Sequence, residues 1–341
     1  MAEKAAIATL EETLQEVSRK LKEDHGQMPE GAEDFDKATF WRRLLQEVGQ
    51  CRDDMKQVCL ACEKLSPQEH LEQELIDRLK RGCQEVVSAF LELPQSQGMT
   101  LRNELAVALG DLFSTLGRFA QEVSLQRNQD GAGDSTVCSI KQAAASCLEK
   151  FEAIEKVSKD NKEAVLSVLT LHYEVVEDAV QELSEALAEE QQIVEVDLDQ
   201  LPVRNGFTQR RRFTLTPENR GFLDPGLGLV KAVQIAMRKT KAAVDLRGQC
   251  TNREEVEELD KMAGLYLLSS SYIDEFITSL YHPVVTHAVI ENASDLRAHA
   301  QAILRTIRQS HFHSRTDDWI SFMESAIEHN FRNVIERCEM Q

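Results

Sequence analysis

Cysteine and histidine are the residues of this sequence whose spacing could hold a metal ion or a redox centre. Cys59 and Cys62 form a CxxC pair. A zinc site would need a second pair or nearby histidines, and a redox motif would need a preceding strand. Neither accompanies this pair, so packing in a helical core is favoured. Six of the nine histidines follow residue 281, and no Glu or Cys completes a ligand set with them. We therefore expect no metal site and no cofactor.

The sequence also lacks the common motifs of catalysis. It has no HExxH, P-loop, GxSxG or GxGxxG pattern, so we expect no catalytic residues and no enzyme. The eight cysteines are expected to be reduced, buried small hydrophobes, because the sequence shows no secretion signal. No apolar stretch is long enough to span a bilayer, and we expect no membrane partner.

An acidic run between Glu163 and Val203 is the most distinctive charge pattern. It holds eleven Asp and Glu residues and no Lys or Arg. Solvated helix faces normally interleave Lys for pairing at i,i+4, so this run carries like-charge repulsion that a basic partner surface would relieve. A solvated face and a partner-binding face are both open at this point. The candidate contributors to a binding face are Glu174, Glu177, Asp178, Glu182 and Glu185.

Arginines at 204 and 210–212 follow the acidic run directly. Three interpretations are open. The arginines fold back on the acidic helix, which is the favoured one, or they form a weak nuclear-import patch. Alternatively, Arg211 and Arg212 belong to a basophilic kinase site at Thr214, where guanidinium groups could hold the phosphate.

A second candidate contact patch is formed by Arg42 and Arg43, which follow Trp41. The tryptophan lies close to the apolar stripe of a predicted helix and is expected to anchor the core. The two arginines are expected to point the other way, towards solvent or a partner.

Composition indicates that helices must position these residues. Aromatic residues make up 6% of the 341 residues and there are only 15 glycines and 7 prolines, which disfavours an all-β or α/β fold. Asp and Glu total 58 against 39 Lys and Arg, a net charge of −19. This balance excludes non-specific binding to nucleic acid as the main role, because phosphate binding needs excess cationic surface.

Apolar periodicity predicts an all-α fold of about ten amphipathic helices. Leucines and other apolar residues recur at spacings of three and four, as in the series from Leu166 to Leu187. Breakers separate the helices near 3–24, 36–64, 68–92, 99–127, 135–158, 161–191, 226–247, 253–281, 284–311 and 316–338. We predict two antiparallel bundles, an N-terminal one over 1–159 and a C-terminal one over 160–341, with an irregular loop at 192–223.

Several segments together resemble the cyclin-D-binding protein family, also called Grap-adaptor and cyclin-D-interacting protein or maternal Id-like molecule. The segments that carry the resemblance are Phe35-Asp36 through Phe40-Trp41-Arg42-Arg43-Leu44, Gly98-Met-Thr-Leu-Arg102, Asp160-Asn161-Lys162 with Ala164, the turn at Tyr281 and Pro283, and Asp318-Trp319-Ile320 with Ala326-Ile327-Glu328-His329. Their order and spacing follow the family over nearly the whole chain. In the central linker the chain departs from the family, with a shorter segment that carries the arginines at 210–212.

The resemblance implies an all-helical adaptor or inhibitor in the cytoplasm and nucleus. Its implied partners are D-type cyclins, helix-loop-helix transcription factors and a signalling adaptor protein, and its implied effect is to restrain phosphorylation of the retinoblastoma protein by the cyclin-D kinase. Without a basic DNA-reading helix, such a protein would hold a transcription factor away from DNA. The alternative is a vinculin-like helical scaffold or cytoskeletal adaptor, since those bundles share this periodicity and acidity.

Overall fold

The structure is a computed structural model, and it describes residues 2–23, 35–64, 73–128, 134–193, 217–281, 283–316 and 318–340. Ten α-helices and one short 3-10 helix at Gln95–Gln97 occupy most of these ranges, with no strand among the described residues. The predicted all-α class is confirmed. Contacts group the chain into two compact units, Met1–Ala164 and Val165–Gln341. The ranges 1–159 and 160–341 stay a prediction about domains.

Five helices lie entirely in the first unit, and each packs mainly against two others. They are α1 (Ala2–Glu23), α2 (Lys37–Lys64), α3 (Gln73–Leu91), α4 (Met99–Asn128) and α5 (Asp134–Glu155). Helix α1 packs against α3 and α4, α4 against α5, α5 against α2, and α2 against α3, which closes a ring. Leu105, Leu109 and Leu112 of α4 are fully buried inside it. Burying a leucine contributes about 1.5–3 kcal/mol, so the predicted apolar stripes hold this unit together.

The remaining five helices build the second unit. They are α6 (Asn161–Ile193), α7 (Pro217–Arg247), α8 (Arg253–Ser279), α9 (Thr286–Gln309) and α10 (Trp319–Glu339). Helix α7 packs against α10, α8 against α9, and α9 against α10. The apolar stripe of α6 from Val165 to Leu187 belongs to the same core. Fully buried Tyr266 donates a hydrogen bond from its hydroxyl to the Met237 carbonyl at 2.5 Å, so the one polar atom of this large side chain is satisfied.

The irregular loop predicted at 192–223 is wrong at both ends. Helix α6 continues to Ile193, and α7 already begins at Pro217, ahead of the predicted start at 226. Proline suits the first helical position, where its missing N–H would have no partner. Phe222 and Leu223 are buried in the core of the second unit, and this burial outweighs the hydrogen bond that Pro225 removes from the helix. Residues 194–216 lie outside the described residues.

Capping contacts from Asp160 and Asn252 stabilise the starts of α6 and α8. Asp160 Oδ1 accepts the Glu163 N–H at 3.0 Å, and Asn252 Oδ1 accepts the Glu255 N–H at 3.0 Å. Glu255 in turn accepts the Thr251 N–H at 2.8 Å. Reciprocal contacts of this kind satisfy N–H groups that a helix cannot satisfy by itself.

Candidate interaction surface

The five candidate acidic residues lie together on the exposed side of α6. Buried Leu169, Val176, Val180 and Leu183 occupy the opposite side, so helical periodicity alone separates the two faces. All five carboxylates are exposed. We call them the acidic face, which consists of Glu174, Glu177, Asp178, Glu182 and Glu185.

The acidic face forms hydrogen bonds with the described residues but no ion pairs. The Tyr173 hydroxyl donates to Glu177 at 3.0 Å, and the Gln181 amide donates to Glu185 at 2.7 Å. Burial raises the pKa of Tyr173, and its hydrogen bond to Glu177 raises this pKa further. Burial also raises the pKa of Tyr281, with a smaller effect from the nearby Glu182 charge. The carboxylates therefore act on their neighbours as negative charges.

Repulsion within the acidic face follows from its spacing. Glu174 and Asp178 are four residues apart, as are Asp178 and Glu182. Each like-charge pair at this spacing destabilises a helix by roughly 0.2–0.5 kcal/mol. The last turn of α6 has no basic residue that would favour the negative end of the helix dipole. The acidic face therefore destabilises α6, and the charge of a cationic partner would offset this repulsion.

The two arginines of the second candidate patch have different surroundings. Arg42 is exposed, and its guanidinium donates to the Thr39 hydroxyl within the first turns of α2 at 3.2 Å. Arg43 forms an ion pair with Glu92, just after α3. Arg42 is the more exposed of the two and lies near the Asp36 carboxylate, and a joint patch of both residues stays a prediction.

Three of the sequence segments that carry the family resemblance meet at the start of α6. The Trp41 ring nitrogen donates to the Lys159 carbonyl at 2.9 Å, and the Lys159 ammonium lies 4.4 Å from the ring centroid. Buried Asn161 accepts the Leu101 N–H at 3.1 Å. Gly98 has φ of +113°, and a Cβ there would overlap the Asn161 side chain. We call this group of contacts the α6 junction.

Sequence reasoning missed the α6 junction as a structural unit. The signals available were a glycine one residue before a helix and an asparagine one residue after a cap. Neither states its partner, because the joined residues are 60 and 118 positions apart in the chain. The junction holds helix starts in place and presents no reactive group to solvent.

The cysteine expectation is correct for six of the eight residues. Cys59 and Cys62 are buried, as are Cys51 and Cys83, whose sulfurs lie 3.7 Å apart between α2 and α3. The pKa of Cys51 is raised, chiefly by its hydrogen bond with Cys83 and by burial. Cys138 on α5 is exposed, and Cys250, in the segment between α7 and α8, is half-buried and packs against the core of the second unit. The expectation of buried cysteines is therefore wrong for these two.

The later histidines contribute to structure in the second unit. His311 contacts Glu258 through Nδ1 at 2.7 Å and accepts the Gln249 N–H through Nε2 at 2.9 Å. Buried His299 lies 2.9 Å from the Ser269 hydroxyl and stacks on Tyr272. Within the described ranges, no group of three or more His, Cys, Asp or Glu residues could hold a metal ion. No described helix is long and apolar enough to cross a membrane.

Two further sequence predictions cannot be placed. Thr214, the candidate phosphorylation site, lies outside the described residues. Arg204 and the arginines at 210–212 do so too. The three interpretations of the arginine cluster stay open.

Comparison with known proteins supports the resemblance seen in the sequence. Residues 45–189, from α2 to α6, match the family described as Grap2 and cyclin-D-interacting, N-terminal. The chain is 27% identical to the Cyclin-D1-binding protein 1 homolog of Danio rerio, over 91% of this chain and 89% of that protein. Identity is 26% with the Xenopus laevis homolog, over 96% and 97% of the two lengths, and 25% with Cyclin-D1-binding protein 1 of Mus musculus, over 91% and 88%.

The fold and these relatives together define a class of protein. The chain is all-helical in its described residues and is similar to proteins whose names state a binding partner. More specifically, the matched proteins are those named Cyclin-D1-binding protein 1 or its homolog, and they bear out the predicted resemblance to the cyclin-D-binding protein family.

Proposed function

We propose that this chain is a non-enzymatic regulator that binds a D-type cyclin. The observation that carries the proposal is its similarity to proteins named Cyclin-D1-binding protein 1 or its homolog over about nine-tenths of both lengths. A match along both compact units supports a shared mode of action better than a match to one segment would. The absence of catalytic motifs from the sequence agrees with a role in binding.

The finer proposal is that binding restrains phosphorylation of the retinoblastoma protein by the cyclin-D kinase. We further propose helix-loop-helix transcription factors and a signalling adaptor as partners, in the cytoplasm and nucleus. A chain of net charge −19 would not follow a transcription factor onto DNA, because both surfaces are anionic. Sequestration is therefore the mechanism that its charge supports.

A binding assay with purified components tests the core of this proposal. The full chain is immobilised and titrated with a purified D-type cyclin, and in parallel with an A-type cyclin as the matched control. We expect saturable binding of the D-type cyclin only. Equal binding of both cyclins, or binding of neither, would overturn the proposal.

A kinase assay tests the finer proposal separately. Addition of the chain to a cyclin-D kinase reaction should lower phosphate transfer to a retinoblastoma protein fragment, and should leave a cyclin-A kinase reaction unchanged. Binding without this effect would retain the cyclin proposal and reject the inhibitory one. Capture of actin or talin-type proteins in place of cyclin would favour the vinculin-like alternative.

A further inference from the structure

One exposed stripe of α6 carries two apolar residues, with Glu174 between them, and then acidic residues alone towards its C-terminus. Leu171 is 59% exposed and Val175 is 41% exposed, one helical turn apart. Asp178, Glu182 and Glu185 continue the same side of the helix towards its C-terminus. We call this set the docking stripe, and it comprises Leu171, Glu174, Val175, Asp178, Glu182 and Glu185.

The carboxylates of the docking stripe have no cationic partner within the described residues, and its two apolar side chains are exposed. Some carboxylates elsewhere in the second unit are paired: Glu324 with Arg308 at 2.9 Å and Glu328 with Arg297 at 3.3 Å. No such ion pair is formed by the stripe's carboxylates within the described ranges. Leu171 lines, with Leu166, Thr170 and Glu174, a shallow surface depression on the same helix. Exposed apolar groups next to unpaired charges of one sign are features of a surface that is covered by a partner.

We propose that the docking stripe binds an amphipathic helix of a partner protein. Apolar side chains at one end of that helix cover Leu171 and Val175. Lys or Arg residues spaced at i,i+4 at its other end face Asp178, Glu182 and Glu185. This order of residues gives the partner a fixed register, because reversal would place cations on leucine and apolar groups on carboxylates.

Charge excludes the other occupants of an exposed helix face. A second copy of the chain would bring a second set of carboxylates against the first in a two-fold contact. Nucleic acid and anionic membranes carry the same sign as the stripe. A basic amphipathic helix is the occupant that matches both the charge and the apolar half.

This inference rests on the proposed role as an interaction protein, but it does not need the cyclin to be the partner that docks here. A designed peptide therefore tests it. The peptide is a labelled helix with two leucines one turn apart at one end and three lysines at i,i+4 at the other. Its binding to the full chain is followed by fluorescence polarisation at low and high salt.

Two variants with the same change in charge separate the stripe from general acidity. The stripe variant carries Glu174→Gln, Asp178→Asn, Glu182→Gln and Glu185→Gln. The control carries Glu254→Gln, Glu257→Gln, Asp274→Asn and Glu275→Gln, four exposed residues of α8. Both variants change the net charge from −19 to −15. We expect the stripe variant to bind about tenfold more weakly, with a flatter salt dependence, and the control to bind like the parent.

A third variant, Leu171→Gln with Val175→Gln, tests the apolar residues of the docking stripe. Glutamine is chosen because it is a good helix former. This variant should bind several-fold more weakly and keep the parent's salt dependence. Circular dichroism checks the helix content of all variants. Equal losses in the stripe and control variants, unchanged binding by the third variant, or no binding by the parent would each overturn the proposal.

If a second copy of the chain were the occupant, the parent protein would form dimers and the stripe variant would not. This result would also overturn the proposal. Because the probe is not a cyclin, peptide binding and cyclin binding can fail independently. Loss of one with retention of the other identifies which of the two proposals is wrong.

Discussion

Gly98 and Asn161 show how single residues hold two helix starts together in the first unit. Asn161 is fully buried and accepts the N–H of Leu101, which lies in the first turn of α4. Its side chain occupies the space that a Cβ at residue 98 would need. The positive φ of Gly98 and this close approach have the same consequence, which is that no other residue fits there without strain.

Replacement of Gly98 by alanine should destabilise the protein. The backbone conformation and the overlap with Asn161 together predict a loss of about 2–3 kcal/mol in the free energy of unfolding. Urea denaturation followed by circular dichroism measures it. Gly49→Ala is the matched control, since a Cβ there meets nothing within 4 Å inside α2, and it should stabilise by up to about 1 kcal/mol. Equal effects of the two changes would contradict the account of the α6 junction.

His299 makes the stability of the second unit depend on pH. Burial lowers the pKa of His299 to about 4 in the folded protein. In the unfolded chain the same histidine has its ordinary pKa of about 6.5, so it becomes protonated at a higher pH there than in the folded protein. The stability that this difference contributes is present above pH of about 6.5 and is lost as the pH falls towards about 4.

We expect the advantage in unfolding free energy of the parent over His299→Gln to shrink by up to about 2 kcal/mol between pH 7 and pH 5. Denaturant titrations of both proteins at the two pH values measure this difference. Other titrating groups are shared by both proteins and cancel. A constant difference would show that His299 takes up its proton equally easily in the folded and unfolded chains.

Helix α7 is the element where sequence reasoning was least accurate. Pro217, Gly221 and Pro225 favour a loop by local rules, and the helix nevertheless begins at Pro217. Burial of Phe222 and Leu223 is a long-range effect that local composition does not contain. By contrast, α4 and α8 begin at residues 99 and 253, where the apolar periodicity and the preceding helix breakers predict them.

Truncation of Phe222 tests whether the early turns of α7 carry core packing. Phe222→Ala should cost about 3–5 kcal/mol of unfolding free energy, since it removes a buried aromatic ring. Leu246→Ala, at the other end of the same helix, removes a side chain that is 76% exposed and should change stability by less than about 0.5 kcal/mol. Chemical denaturation of the two variants measures both changes in unfolding free energy. A small loss of stability for Phe222→Ala would favour the predicted loop over the helix.

The candidate site divides in a similar way between what local pattern can and cannot predict. Helical periodicity placed all five carboxylates of the acidic face on the exposed side of α6, because one buried stripe determines the orientation of a helix. The partner of Arg43 was not predictable, since Glu92 lies 49 residues away, just after α3. The exposed Leu171 and Val175 were also missed, because a leucine or valine beside an apolar stripe is expected to be buried.

For the whole molecule, the division between the compact units falls inside α6, well before the linker at 194–216. Both helices that flank this linker, α6 and α7, contribute to the core of the second unit. A cut in the linker therefore breaks the chain within one unit. It does not separate the first unit from the second.

Limited trypsin digestion should show this arrangement. The sequence predicts first cuts after Arg204 or the arginines at 210–212, where proline and glycine disfavour helix. We expect two fragments on a denaturing gel that elute together from a native size-exclusion column, because α6 stays in its core. Separate elution of the fragments would show that the packing of the second unit is wrong, and first cuts inside α4 would show that the packing of the first unit is wrong.

The α6 junction also has a consequence for the order in which the chain is made. Trp41 makes its junction contact with Lys159, which leaves the ribosome more than a hundred residues later. Leu101 makes its contact with Asn161, which follows about sixty residues later. The ring of five helices is thus translated before the residues that tie its ends. Since domains generally fold as units during synthesis, the first unit is expected to gain its final contacts only as the leading turn of α6 emerges. A nascent chain that has emerged from the ribosome only as far as the segment between α5 and α6 would carry a bundle complete in its helices and still open at that end.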